Sequence, residues 1–284
     1  MQDFLQRYFQ LDDHRTNVRT ELIAGVTTFL SMAYITVVNP AILSDAGMDF
    51  GAVFVATCIA AAVGSLIMGL WANYPIAQAP GMGQNAFFTY GIVLGLGHTW
   101  EAALGAVFVS GIIFVILSVL PVREWLINAI PKNLKLGISA GIGLFLGFIA
   151  LQNADVVVAN PATLVTFGDM AAPGAIICLA GFALIVALTA RGVSGAVIIG
   201  MLVATALGLA VGAAEYQGVI AAPPSLAPVL FKFDLMAVLD VSMVTVVLTM
   251  LLVDVFDTAG TLLGVANRAG LTDADGKLPR LGRA

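Results

Sequence analysis

Charged residues and cysteines are both scarce in this chain. Asp, Glu, Lys and Arg make up only 10% of its 284 residues, against about 25% in a typical soluble domain. The net charge of −5 argues against nucleic acid as a partner. Cys58 and Cys178 lie inside apolar segments, so we interpret them as small hydrophobic side chains and predict neither a disulfide nor a metal site. No cleavable signal peptide is visible, because the first twenty residues are polar.

Long apolar runs take the place of the missing charge. Hydrophobic residues make up 60% of the chain, and the mean hydropathy is +1.01. Runs of eighteen or more nearly uncharged residues indicate membrane spans. We therefore predict an all-α polytopic membrane protein with eight segments, at about 22–43, 52–71, 82–95, 102–120, 135–153, 172–190, 192–213 and 239–264.

The basic residues orient this arrangement. Lys232 alone falls on one side, and the other eleven of the twelve fall on the opposite side: Arg7, Arg15, Arg19, Arg123, Lys132, Lys135, Arg191, Arg268, Lys277, Arg280 and Arg283. Cytoplasmic loops carry such an excess of Lys and Arg. We therefore predict that both ends of this chain, including the N-terminus, lie in the cytoplasm.

Two carboxylates interrupt the last apolar run, residues 244–264. Asp254 and Asp257 are three positions apart, so on a helix they project to roughly the same side. A charged side chain at the centre of a spanning helix costs about 2.5–3.5 kcal/mol on insertion scales, and such residues usually face a functional interior. The alternative is a pair of hydrogen bonds between packed helices. We favour a transport site.

The third predicted segment is irregular. Residues 74–91 read YPIAQAPGMGQNAFFTYG, and their first half cannot form a regular helix because it contains Pro75, Pro80, Gly81 and Gly83. We predict a short extended piece at 76–79 that leads into a half-helix beginning inside the membrane. Such ends offer backbone N–H groups to a substrate near the midplane. The alternative is a set of helix-packing glycines with a kink; the stretch is not a nucleotide-binding loop, because it lacks the third glycine and the βαβ context.

Three stretches together resemble a known family. TTFLSMAYITVVNP (27–40), APGMGQNAFFTYG (79–91) and VDVFDTAGTLLGVANRAGL (253–271) are similar to purine permeases of the adenine/guanine/hypoxanthine, or AzgA-like, type in the nucleobase–cation symporter family. The resemblance implies a carrier, not an enzyme, that imports purine nucleobases across the cytoplasmic membrane by proton symport. The proton is then the coupling ion, and no cofactor is expected. The expected partners are a purine and the bilayer, with a homodimer left open.

The resemblance also implies a fold of fourteen segments, in two inverted repeats of seven. The third and tenth segments would each be a short strand plus a half-helix, with the substrate between them beside the eighth. On this basis residues 1–21 are a cytoplasmic tail, 22–213 the first repeat, 239–264 the first segment of the second repeat, and 265–284 a cytoplasmic loop. We expect a fragment of a longer carrier that does not transport by itself.

The site residues follow from matched positions. Asn85 matches the family's polar substrate contact, Gly83 allows close approach, and Thr28 matches a first-segment position that faces the site. Asp254 and Asp257 match the paired acidic positions, and we expect them both to bind substrate and to carry the proton, without assigning either role to one of them. Most first-segment hydroxyls are expected to bond to backbone carbonyls instead. The remaining candidates are neighbours of Asn85: Gln84, Phe87 and Phe88.

Other interpretations stay open from the sequence alone. Phe87 and Phe88 could stack on a planar ligand or could contact lipid and protein core. A carrier of the same fold could take uracil, xanthine or an anion, and a receptor or channel is a further alternative. An intramembrane aspartyl protease needs its two aspartates on different helices, whereas Asp254 and Asp257 share one helix.

Overall fold

The fold is mostly helical in the computed structural model, which describes residues 2–12, 16–119, 132–193, 195–214, 216, 218 and 221–271. Several basic residues used to orient the chain, such as Arg123 and Lys277, lie outside these ranges. The helices are α1 (Gln2–Phe9), α2 (Val18–Met32), α3 (Ile35–Ser44), α4 (Phe50–Ile67), α5 (Met82–Ala86), α6 (Leu94–Leu96), α7 (Trp100–Val119), α8 (Lys132–Asn153), α9 (Pro173–Ala190), α10 (Ala196–Ala210) and α11 (Val241–Arg268). A π-helical turn, Met68–Ala72, extends α4, and another, Phe87–Val93, joins α5 to α6.

Five stretches of the described residues are long and apolar enough to cross a membrane: Val18–Ser44, Phe50–Ala72, Trp100–Ser118, Pro173–Ala190 and Val241–Thr258. Large apolar side chains such as Trp71, Val115 and Phe182 are exposed along them. Helices that meet lipid tails can expose such side chains without the cost they have in water. The chain is therefore a polytopic membrane protein. The predicted fifth and seventh segments are helices whose apolar parts are shorter, Gly143–Asn153 and Ala196–Ala210.

A small β-hairpin corrects the all-α prediction. Strands β1 (Val157–Asn160) and β2 (Leu164–Phe167) pair antiparallel between α8 and α9. The Asn160 side chain accepts hydrogen bonds from the backbone N–H groups of Ala162 at 2.8 Å and Thr163 at 3.2 Å, which closes the turn. The prediction missed the hairpin because four-residue strands do not register in a search for membrane-length apolar runs.

The chain divides into two compact units. The first comprises residues 1–35 and 147–222, and the second comprises residues 36–146 and 223–284. In the first unit, α9 packs against α10, and α10 also contacts α2. Gly200 of α10 lies against the side chain of Ile185, where an added Cβ would collide with it. A small residue at this crossing lets the two helices approach closely.

The core of the second unit forms between α7 and α11. Ala102, Ala103 and Ala106 of α7 are buried against large side chains of α11, among them Met243 and Met250. These positions recur at helical spacing on each helix, so small side chains on one face of α7 pack against large side chains on the facing side of α11. This contact fixes the position of α11 along α7, and therefore the position of the carboxylates that α11 carries.

Candidate functional site

The third segment begins with an irregular stretch, residues 73–81, that forms neither helix nor β-ladder. Part of its backbone is hydrogen-bonded to the neighbouring helix α4. The N–H of Gln78 donates to the Oγ of Ser65 in α4 at 2.9 Å, and that hydroxyl donates back to the Gln78 carbonyl at 3.3 Å. Irregular backbone at membrane depth needs such partners. The expected break is therefore present, although the extended piece at 76–79 is not paired as a strand.

The half-helix begins where predicted. Gly81 is still extended, with φ −73° and ψ 112°, and α5 starts at Met82. The backbone N–H of Asn85 donates to the Gly81 carbonyl at 3.2 Å, which closes the first helical turn. The chain then widens into the π-helical turn Phe87–Val93. The side chains of residues 84–88 are thus presented by a short helix that starts within the segment.

A cavity of about 180 Å³ lies within the second unit beside this half-helix. For scale, an engineered apolar cavity of about 150 Å³ accepts benzene, so the space suits one small planar molecule. Its lining is mainly apolar with a few polar groups, as in most ligand sites. The lining residues are Leu43, Met48, Gln84, Asn85, Phe88, Leu104, Val107, Ser110, Gly111, Met250 and Asp254.

The two carboxylates of α11 have different surroundings. Asp254 lines the cavity. Asp257, almost one turn further along, lies beside Gly81: a Cβ built on that glycine would be 2.8 Å from the Asp257 Oδ2 atom. The absence of a side chain at Gly81 therefore lets this carboxylate reach the start of the half-helix. Asp254 therefore borders the cavity, whereas Asp257 borders the backbone at the start of the half-helix that carries Gln84 and Asn85.

The Asn85 side chain is hydrogen-bonded to a residue of α3. Its side-chain Nδ2 donates to the Oδ1 of Asn39, a buried residue next to the proline inside that helix. The π-helical turn is tied to the same helix, because the buried Thr89 hydroxyl donates to the Ile42 carbonyl at 3.0 Å. The half-helix is therefore anchored through side chains, which compensates for its short length.

Comparison with known proteins identifies the family of the chain. A family model described as "Permease family" matches residues 19–284. The chain belongs to this permease family. It is 49% identical to the protein MJ0326 of Methanocaldococcus jannaschii, 46% identical to the adenine permease AdeP of Escherichia coli K12, and 47% identical to the guanine/hypoxanthine permease PbuG of Bacillus subtilis. These matches cover 99%, 100% and 99% of this chain, which spans 65%, 64% and 66% of the three relatives' own lengths.

Four of the predicted site residues meet at the cavity: Gln84, Asn85, Phe88 and Asp254. Gly83 lies on the same half-helix, half-buried, and Asp257 lies at Gly81. Phe87 does not line the cavity: its ring covers Gly91 and packs against the apolar core, of which Phe88 is itself a buried member. Thr28 belongs to the first unit, where its hydroxyl donates to the Ala24 carbonyl at 2.9 Å.

Several residues that line the cavity were not among the predicted ones. Ser110 and Gly111 on α7 are a polar and a small residue in an apolar run, a pattern that by itself does not distinguish a cavity wall from a helix-packing contact. Packing does explain Gly105, since an added Cβ there would collide with the Asp234 carbonyl. Gly111, by contrast, has open space around its Cβ position because it lines the cavity. No cluster of metal-ligating side chains occurs in the part of the chain that the structure describes.

Proposed function

We propose that the permease imports purine nucleobases, hypoxanthine and guanine or adenine, across the cytoplasmic membrane, and that the cavity of the second unit is part of its substrate site. The observation that carries this proposal is the meeting of Asn85 and Asp254 at one small cavity with an aromatic ring, Phe88. The relatives named for adenine and for guanine/hypoxanthine support purines as the substrate class.

The polar groups of the cavity suit a neutral purine. Such a base is planar and carries N–H donors as well as carbonyl or ring-nitrogen acceptors. The Asp254 carboxylate accepts strongly from two such donors, and the amides of Asn85 and Gln84 both donate and accept. Phe88 adds dispersion and offset stacking against the ring. Gly83 lets the base approach the half-helix closely, while Phe87 supports the half-helix from the core side. Thr28, which belongs to the first unit, stays a prediction from the family resemblance.

The acidic pair also supplies a route for coupling transport to a proton. We assign substrate binding to Asp254, because it lines the cavity, and proton handling chiefly to Asp257, because it borders the backbone at Gly81. A change in the charge of Asp257 would alter its interaction with the half-helix and hence the position of Asn85. Proton uptake on one side and release on the other would then bias the carrier between its two orientations.

The arrangement in the membrane follows the sequence pattern. We assign eight segments, with residues 22–213 as the first of two inverted repeats and 239–264 as the start of the second. The short helix α10 and the apolar part of α8 fill the places of the seventh and fifth segments. The side that carries eleven of the twelve basic residues, together with the N-terminus, is cytoplasmic. A homodimer is compatible with this arrangement.

Uptake measurements test the proposal. Labelled adenine, hypoxanthine and guanine are offered to cells that lack purine uptake and express the complete gene product, with and without a protonophore. We expect saturable uptake that the protonophore abolishes. The proposal would be refuted if the protein is present in the membrane and none of the three bases enters faster than in cells without it. Uptake that does not change with the protonophore would exclude the proton as the coupling ion.

Substitution of the acidic residues tests their roles. Asp254→Asn is expected to raise KM, and Asp257→Asn to abolish uptake with membrane insertion intact. Asp240→Asn is the matched control, because Asp240 is an exposed carboxylate at the start of the same helix and asparagine can also cap it. Uptake by Asp257→Asn at the wild-type rate and pH dependence would exclude Asp257 from the mechanism.

A further inference from the structure

We infer that Asn39 and Thr57 act as positioning residues that fix which end of the Asn85 amide faces the cavity, and thereby determine which purine the site prefers. The inference rests on the proposed function and deepens it. Neither Asn39 nor Thr57 lines the cavity. Both are almost completely buried, with 4% and 3% of their surface exposed.

The chain of hydrogen bonds starts at a backbone carbonyl. The Thr57 hydroxyl lies 2.7 Å from the carbonyl oxygen of Val53, four residues earlier in α4. A carbonyl oxygen can only accept, so the hydroxyl must donate its one hydrogen there. The Thr57 oxygen is left with acceptor capacity alone.

That acceptor orients the next side chain. The Asn39 Nδ2 atom lies 2.6 Å from the Thr57 Oγ1 atom. Because the hydroxyl hydrogen is already used, the amide nitrogen of Asn39 must be the donor in this contact. The carbonyl oxygen of the Asn39 side chain then faces Asn85, and it accepts the hydrogen bond from the Asn85 Nδ2 atom.

The direction of these hydrogen bonds determines which groups Asn85 can offer to a ligand in the cavity. With its nitrogen committed to Asn39, the amide leaves its carbonyl oxygen, and one remaining N–H, for a ligand. Reversal of the amide would set two carbonyl oxygens against each other, and an unpaired buried polar group costs more than an ordinary hydrogen bond contributes. The cavity therefore presents acceptors from two elements, the Asn85 oxygen and the Asp254 carboxylate.

A fixed amide can discriminate between purines that a freely rotating amide would accept equally. Adenine has an acceptor at ring position 1 and a donor at position 6, whereas hypoxanthine has a donor at position 1 and an acceptor at position 6. An amide that can rotate satisfies either pattern. An amide whose orientation is fixed by Asn39 and Thr57 can pair with only one of these two patterns. The purine with the other pattern would place donor against donor or acceptor against acceptor, and a hydrogen-bonding site rejects such a ligand.

The test compares Thr57→Val with Thr57→Ser. Valine keeps the shape of threonine but removes the hydroxyl that orients Asn39, and serine retains the hydroxyl as the matched control. Inhibition constants of adenine and hypoxanthine are measured against uptake of whichever labelled purine the complete gene product transports best. We expect the wild type and Thr57→Ser to discriminate by about tenfold or more, the value of one buried hydrogen bond. Thr57→Val should reduce the ratio of the two inhibition constants to less than about threefold.

A role confined to stability would give another result. Thr57→Val would then lower the amount of folded carrier and Vmax for both bases and leave the ratio of inhibition constants unchanged, which would overturn the inference. Equal affinity of the wild type for adenine and hypoxanthine would overturn it as well.

A thermal double-mutant cycle makes the test independent of substrate. Thr57 and Asn85 are joined only through Asn39 in the hydrogen bonds described above, so Thr57→Val and Asn85→Ala should be non-additive in the melting temperature of the purified protein. Additive effects would overturn the relay. If no purine is taken up at all, the proposed function fails, and this cycle still decides whether the relay exists.

Discussion

Gly81→Ala is the substitution that most directly probes the contact between the half-helix and α11. The new Cβ would lie 2.8 Å from the Asp257 Oδ2 atom, whereas ordinary van der Waals contact begins at 3.4 Å. Either the carboxylate or the start of the half-helix must therefore move by about 0.6 Å. Because Oδ2 is the end of a side chain that can rotate, we expect the carboxylate to move and the fold to persist.

The displaced carboxylate should show itself in transport. A misplacement of about 1 Å in a functional group can cost about 100-fold in rate, so a shift of about half that size should lower the maximal rate of purine uptake about tenfold. The assay is initial-rate uptake in cells with matched amounts of carrier in the membrane. Gly264→Ala is the control, because it adds the same methyl group to α11 where nothing lies within 4 Å. Wild-type uptake by Gly81→Ala would refute the assigned contact.

Three further predictions test the remaining contacts. Phe88→Leu should raise the KM for purine several-fold, because a stacked ring contributes about 0.5–1.5 kcal/mol. Phe87→Leu should lower the melting temperature and leave KM unchanged. Equal effects of the two substitutions on KM would contradict the assignment of Phe88 alone to the cavity wall. Gly105→Ala should destabilise the purified protein by about 1–3 kcal/mol, because the added Cβ meets the Asp234 carbonyl, and thermal denaturation should show no such loss for Gly111→Ala. Ser65→Ala should cost about 1–3 kcal/mol in the same assay, because it leaves the Gln78 backbone N–H without its partner; an unchanged melting temperature would show that Gln78 finds another partner.

The break in the third segment could be predicted because it depends on local chemistry. A single proline such as Pro40 is tolerated inside α3, but Pro75 and Pro80 together with Gly81 and Gly83 disfavour a regular helix over this short stretch. Gly81 also permits the close approach seen at the start of α5. The π-helical turn that follows could not be predicted in the same way. It depends on how Thr89 and its neighbours meet α3, a contact between residues 47 positions apart.

The site could be predicted only in outline. The three-residue spacing of Asp254 and Asp257 placed both carboxylates on one side of α11, but it could not show that one borders a cavity while the other borders Gly81. Asn39 was visible as a polar residue in an apolar segment, without any sign of its partner. Its link to Asn85 spans 46 positions and arises only when α3 packs against the half-helix.

A structure of the complete protein with a bound purine is the most direct test of the proposed substrate site. The account predicts the base in the cavity of the second unit, with N–H groups within hydrogen-bond distance of the Asp254 carboxylate and the Asn85 side-chain oxygen, and with its ring against Phe88. A base bound away from Asp254 and Asn85, or a continuous helix through residues 76–90, would contradict it.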